Sequence, residues 1–207
     1  VKDKIIYKAQ ELFYRHGYTS VTTQQIVSEL KMSKKTLYVH FNSKYELLIH
    51  VVDRYKQHIS SELEKIFSDD SLPYPELLRQ YLTIVGKALS QINPVFIKDI
   101  QESEPEVWKS LRTYRREAAY IRFRRLIERG VDDGYITKEL NKGVLITLFA
   151  SAIYSMMDYE VVGQLPEKIK RDIPQKPEET FEEIIKILFK GILTGKGREE
   201  LIKHKTD

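Results

Sequence analysis

The chain has 207 residues, 42% of them hydrophobic and 31% charged, with no cysteine and a formal net charge of +4. That composition excludes a disordered chain and predicts a folded, water-soluble one, while the missing cysteines exclude disulfides and thiolate zinc sites and suit a reducing cytoplasm. No apolar run reaches the ~18–20 residues that span a bilayer; the longest, GVLITLFASAIYSMM, reads as a buried helix, and the N-terminus carries no secretory cleavage pattern, so a cytoplasmic protein with no membrane partner is expected.

The charge is uneven. Residues 1–50 hold eight Lys/Arg against four Asp/Glu, and the rest of the chain balances at 26 of each sign. A basic excess confined to the first quarter is the footprint expected of a polyanion partner, although four charges also fall within ordinary fluctuation.

Nearly every segment reads as helix. The first runs from Lys2 to His16 with Ile5, Ile6, Ala9, Leu12 and Phe13 on one stripe, and Gly17 ends it. TTQQIVSEL follows as a short helix capped by Thr22, with Gln25 completing a capping box. After the turn KMS, Ser33 caps a second short helix from Lys34 to about Phe41, and Ser43 with Glu46 opens a long helix through Phe67. SDDSLPYP breaks the chain. Further helices are predicted over roughly 75–92, 94–102, 105–130, 141–159 and 178–193, with a proline-bearing connection over 161–177 and a charged tail.

Residues 22–41 have the mechanics of a helix-turn-helix. Ile26, Val27 and Leu30 face inward from the first short helix, Leu37 and Phe41 from the second, and Met32 plugs the turn. With Leu37 and Phe41 committed to the core, Lys34, Lys35, Thr36, Tyr38, Val39 and His40 occupy the other faces. A seven-residue helix is about 10 Å long, close to the ~12 Å width of a major groove. Lysine donates to guanine edges or phosphates, threonine to a base, tyrosine and histidine to phosphate oxygens, and valine meets a thymine methyl. Tyr38 could equally pack on the first helix and His40 be solvated.

Over Gly17 to Leu48 the sequence GYTSVTTQQIVSELKMSKKTLYVHFNSKYELL resembles the DNA-binding segment of the TetR family of bacterial transcriptional regulators. The matching features are the aromatic after Gly17, TT before the first short helix, S-K-x-T-L-Y-x-H-F over the second, and S-K-x-E-L-L opening the fourth helix. The resemblance implies an all-α fold: an N-terminal three-helix helix-turn-helix DNA-binding domain over residues 1–47, then a larger helical effector-binding and dimerisation domain over 48–207. It implies a homodimer that binds a palindromic double-stranded operator, usually as a repressor, and is released by a small-molecule effector. Carried over by position, Thr23 and Gln24 approach backbone or bases from the first short helix, and Ser33 approaches the DNA from the turn. Lys34, Lys35 and Thr36 read bases, with Val39 a weaker reader, while Tyr38, His40 and Lys44 hold phosphates. Two departures stand out: Lys31 where relatives often have Gly, and Lys35 where many have a small residue. The operator sequence is therefore not inherited.

In the larger part, Phe149, Ile153 and Met156 lie on one apolar stripe, and Phe181, Ile185, Leu188 and Ile192 on another. Such stripes either meet a symmetry mate in a four-helix interface or face the chain's own core; the resemblance implies the former. In the helix from Pro105, Arg115 and Arg122 fall inside the apolar sector of Trp108, Leu111, Phe123 and Leu126. An arginine there needs an acidic group on an effector or an internal carboxylate, unless its stem snorkels to the domain surface. Tyr81, Phe96, Trp108, Tyr114 and Tyr154 either line a pocket for a largely apolar effector or belong to the core.

An enzyme is not expected, nor a cofactor or a metal. The chain has no Gly-rich phosphate loop, HExxH or GxSxG, and His16, His40, His50, His58 and His204 are scattered. A DNA-binding relative of this family without small-molecule control, such as a nucleoid-organising or division-linked one, is the alternative.

Overall fold

The structure, a computed structural model, describes residues 1–156, 158–192, 194–196 and 199. Leu193, His204 and the rest of the charged tail beyond 194–196 and 199 lie outside the described residues, as do the side chain of Ile192 and residue 157. The described elements are all helical: α1 (Lys2–His16), α2 (Thr23–Glu29), α3 (Lys34–His40), α4 (Lys44–Phe67), α5 (Tyr74–Ser90), α6 (Pro94–Ser103), α7 (Pro105–Asp132), α8 (Lys142–Met156), α9 (Tyr159–Gly163), α10 (Glu167–Asp172) and α11 (Pro177–Ile192). No described helix is long and apolar enough to cross a membrane.

The chain forms two compact units, one of residues 1–61 with 91–113, the other of 62–90 with the described residues from 114 onward. The boundary at 47/48 read from the sequence falls inside the first unit. There the stripe Ile5, Ile6, Ala9, Leu12 and Phe13 of α1 is buried together with Ile26 and Val27 of α2, Leu37 of α3, Leu47, Leu48 and Val51 of α4, and Phe96, Ile97 and Ile100 of α6. Helix α1 packs on both α2 and α6, and α2 on α3. Each large side chain so buried is worth about 1.5–3 kcal/mol in removed apolar surface, so the geometry of the short helices is set by a core that their own lengths could not sustain.

In the second unit α11 packs against α5 and α8. Phe181, Ile184, Ile185, Leu188 and Phe189 of α11 are buried, as are Tyr74, Leu77, Leu78 and Tyr81 of α5 and Phe123, Leu126 and Ile127 of α7. The segment expected as a bare connection contains α9 and α10. Pro166 stands at the N-cap of α10 and Pro177 is the first residue of α11, positions where a missing backbone N–H costs a helix nothing.

Candidate nucleic-acid interface

The two short helices are held by the caps their sequence announces. Thr22 Oγ1 accepts the Gln25 amide at 3.2 Å while Thr22 N donates to Gln25 Oε1 at 2.7 Å, the two halves of a capping box. Ser33 Oγ accepts the Thr36 amide at 3.1 Å and lies 2.9 Å from Thr36 Oγ1. Between the helices the Met32 amide donates to Val27 O at 2.9 Å, and Lys31 takes φ 52°. This is the left-handed conformation for which glycine is the default, at one of the two positions read from the sequence as departing from the pattern it resembles.

Leu37 and Phe41 are buried and α3 turns its other residues outward: Lys34 and Lys35 are exposed, Tyr38 is 47% and Val39 72% exposed, and Thr36 and His40 are half-buried. Neither Lys34 nor Lys35 makes an ion pair among the described residues, so their charge is uncompensated by the protein. On α2, Thr23 is half-buried and Gln24 is exposed, its Nε2 donating to Ser28 Oγ at 3.2 Å. The exposed Ser33 spends its hydroxyl on the α3 cap. The ten residues drawn from the sequence thus lie on α2, the turn, α3 and the first residue of α4, within one unit.

Lys44 is the member whose surroundings the sequence did not reveal. Its Nζ donates to Thr19 O at 3.3 Å and stands 4.2 Å from the Tyr18 ring centroid. Burial lowers its pKa, with Asp99 and Glu104 opposing the shift. Thr19 in turn donates from both N and Oγ1 to the Asp99 carboxylate, each at 2.6 Å. The Tyr18 hydroxyl is pushed upward by burial and by its hydrogen bond to Glu104. Asp99 and Glu104 stand at the end of α6, about eighty residues along the chain, and no local pattern marks them.

The candidate effector residues divide between the units. Phe96 and Trp108 are buried in the first, where Phe96 packs on Tyr14 at 5.0 Å between ring centroids. Tyr81, Tyr114, Arg115, Arg122 and Tyr154 belong to the second. There Arg122 Nη2 donates to the Tyr114 hydroxyl at 2.7 Å. Burial pushes the Tyr81 hydroxyl up to about 12, with the Arg122 charge opposing. Tyr81, Tyr114 and Arg122 therefore cluster, and Arg115 and Tyr154 are half-buried. A cavity of about 200 Å³ in this unit lies elsewhere, between Met156, Val162, Lys170 and Ile173.

Of the residues read as dimer contacts, Phe149, Ile153 and Met156 on α8 are half-buried, whereas Phe181, Ile185 and Leu188 on α11 fill this chain's own core. For α11 the structure therefore takes the inward-facing alternative that the stripe alone left open. Residues left outside are Val144 (66% exposed) and Leu148 (60%) on α8 and Ile187 (69%) on α11.

The family model for bacterial regulatory proteins of the tetR family matches residues 5–51. Over 53 residues the chain is 42% identical to the HTH-type transcriptional regulator QacR of Staphylococcus aureus, a match covering 26% of this chain and 28% of that protein. A second relative, the uncharacterized HTH-type regulator YvaF of Bacillus subtilis, is 22% identical over 91% of this chain and 94% of its own length. The crystal structure of a TetR-family transcriptional regulator from Marinobacter aquaeolei superposes with a TM-score of 0.70 at 19% identity, covering all of this chain and 97% of that one.

Proposed function

We propose that this chain, a TetR-family transcriptional regulator and not an enzyme, binds a palindromic operator as a homodimer, represses the genes beside it, and is released by a small, largely apolar effector. The observation that carries the reading is the outward face of α3, where Lys34, Lys35 and Val39 stand exposed above the buried anchors Leu37 and Phe41, the two lysines without an ion pair among the described residues. In this reading Lys34, Lys35 and Thr36 contact base edges, Val39 a thymine methyl, and Tyr38, His40 and Lys44 phosphates; Thr23 and Gln24 approach from α2 and Ser33 holds Thr36 in place.

One recognition helix reads half of a site, and a second copy reads the other half about one DNA turn away, ~34–36 Å, or at a related spacing. Support for the second copy comes from α8. Its sequence after Lys142 carries no charge, yet among its residues only Leu145 and Ala150 are buried in this chain. A helix apolar on every side is covered on every side in a finished assembly. Phe149, Ile153 and Met156, half-buried in this chain, lie on the same helix.

The effector site is assigned to the second unit, around Tyr81, Tyr114, Arg115, Arg122 and Tyr154, with a ligand bearing one polar or acidic end for the guanidinium groups. Release requires that the effector bind the DNA-competent and incompetent conformations unequally. Phe96 and Trp108, in the other unit, act in this scheme through packing.

The test is selection of bound fragments from random duplex DNA, repeated with Lys34→Ala, Lys35→Ala and a metabolite extract. We expect a palindromic consensus from the native protein, a changed preference from each lysine variant, and loss of binding with one fraction of the extract. An unchanged preference in both variants overturns the assignment of base readers.

A further inference from the structure

We propose that Asp99 and Thr19 are positioning residues of the DNA interface, a role that rests on the DNA-reading function above. Every polar group of Thr19 is engaged. Its N and Oγ1 donate to the two oxygens of Asp99, both at 2.6 Å, and its carbonyl accepts from Lys44 Nζ at 3.3 Å. One residue of the α1–α2 turn thereby joins α6, through Asp99, to the first residue of α4. The turn is closed around this carboxylate: Gly17 has φ 87°, and a Cβ built on it would stand 2.9 Å from Asp99 Oδ2. Only glycine there satisfies both the backbone conformation and the approach of the carboxylate.

Two features of the interface depend on where that turn lies. The first is α2, whose N-cap Thr22 follows Thr19 by three residues and whose Thr23 and Gln24 face the DNA in the proposed complex. The second is Lys44. With one N–H of its ammonium given to Thr19 O and the cation resting on the Tyr18 ring at 4.2 Å, its direction is fixed before DNA arrives and its remaining protons serve a phosphate. Glu104, hydrogen-bonded to the Tyr18 hydroxyl, supports the ring from the same end of α6. The Lys44 contact is to the backbone of the duplex and carries no sequence information, and in this proposal Thr23 and Gln24 likewise meet phosphates rather than base edges. Losing their preorganisation therefore weakens every duplex alike, whereas losing a base reader changes the preference among duplexes. The grouping of residues 91–113 with residues 1–61 in one compact unit fits an α6 that belongs mechanically to the reading head.

The experiment measures dissociation constants of the full-length protein for its selected duplex and for a scrambled duplex. The active fraction of each preparation is fixed by stoichiometric titration, and thermal unfolding is recorded alongside. Asp99→Ala is expected to weaken both duplexes by about tenfold, the scale of one lost charged hydrogen bond, with their ratio unchanged. Thr19→Val removes the Oγ1 bond alone and should cost a smaller factor. Thr19→Ser keeps both donors and should restore native affinity. The double variant Asp99→Ala/Thr19→Val should be no weaker than Asp99→Ala, because the two residues act as one unit. Lys34→Ala, run beside them, should change the ratio. A variant that merely loosened the fold would lose active fraction and melting temperature while its active molecules kept their affinity. The proposal is overturned by native affinity in active Asp99→Ala, by a shifted ratio, or by fully additive losses. Failure of the native protein to retain any duplex overturns the DNA-reading function itself, and this role with it.

Discussion

Arg125 reaches from α7 to α4 and grips Glu64 with both guanidinium nitrogens, at 2.6 and 3.1 Å, while its guanidinium lies 4.5 Å from the Phe67 ring centroid. The hydrogen bond from Arg125 holds the Glu64 carboxyl below its usual range, against a smaller desolvation effect. A depressed carboxylate stabilises the fold fully above its unfolded pKa and loses that contribution as pH falls through the folded value. We therefore expect Glu64→Gln to lower the melting temperature at pH 7, by a difference that shrinks as pH falls through the folded carboxyl's depressed range. The Glu64 side chain is 61% exposed, so screening keeps the effect below about 1 kcal/mol, roughly 2–4 °C for a protein of this size. Arg125→Lys should lose nearly as much, since lysine cannot reproduce a two-pronged grip and a ring stack together.

Tyr74 gives a prediction of opposite sign. Its ring is fully buried against Tyr135 at 5.2 Å, and its hydroxyl finds no hydrogen-bond partner among the described residues. A buried unpaired hydroxyl costs about 1–3 kcal/mol. Tyr74→Phe keeps the ring and removes that cost, so chemical denaturation should show equal or greater stability. Gly130→Ala presses on the same ring, with a Cβ 2.7 Å from Tyr74 Cζ and 2.7 Å from Ile136 Cδ1. It should destabilise by about 1–3 kcal/mol, and combining it with Tyr74→Phe should recover part of the loss.

Features of this chain are legible in its sequence where the interactions that form them are short in range. The caps at Thr22 and Ser33 formed as expected because their partners sit three residues away, within reach of a local rule. The buried stripe of α1 was equally legible from its period. The Thr19–Asp99 bonds span eighty residues, and no property of either residue alone foretells the other. The stripe of α11 shows a subtler limit. Periodicity says that Phe181, Ile185 and Leu188 must be covered, but not by what, and the chain covers them itself. The proline-rich run 161–177 read as a connection because prolines break helix interiors, whereas Pro166 and Pro177 stand at helix starts.

Lys31 holds a left-handed conformation, φ 52°, with its amide donating to Ser28 O at 3.1 Å. For a residue with a Cβ this conformation costs about 1–2 kcal/mol, part of which glycine returns through its freer unfolded chain. Lys31→Gly should therefore raise stability by about 0.5–1 kcal/mol, read as a higher denaturant midpoint with unchanged slope. Lys31→Ala retains the Cβ and should show no such gain. Equal midpoints for the two variants would mean that the turn carries no strain.

Leu148 and Phe181 separate assembly from folding. Leu148 is 60% exposed on the charge-free face of α8, and Phe181 is sealed inside the chain. In the proposed homodimer Leu148→Arg places an unpaired charge in the intersubunit surface, where burial without a partner is costly. It should shift the protein from dimer to monomer by analytical ultracentrifugation, leave helix content intact, and weaken operator binding by more than tenfold, because each copy then holds its half-site alone. Ile187→Arg on α11 should act in the same direction. Phe181→Ala should instead cost about 3–5 kcal/mol of folding stability while the folded fraction still dimerises. A Leu148→Arg protein that remains dimeric and binds operator normally would place the partner's contact on another face.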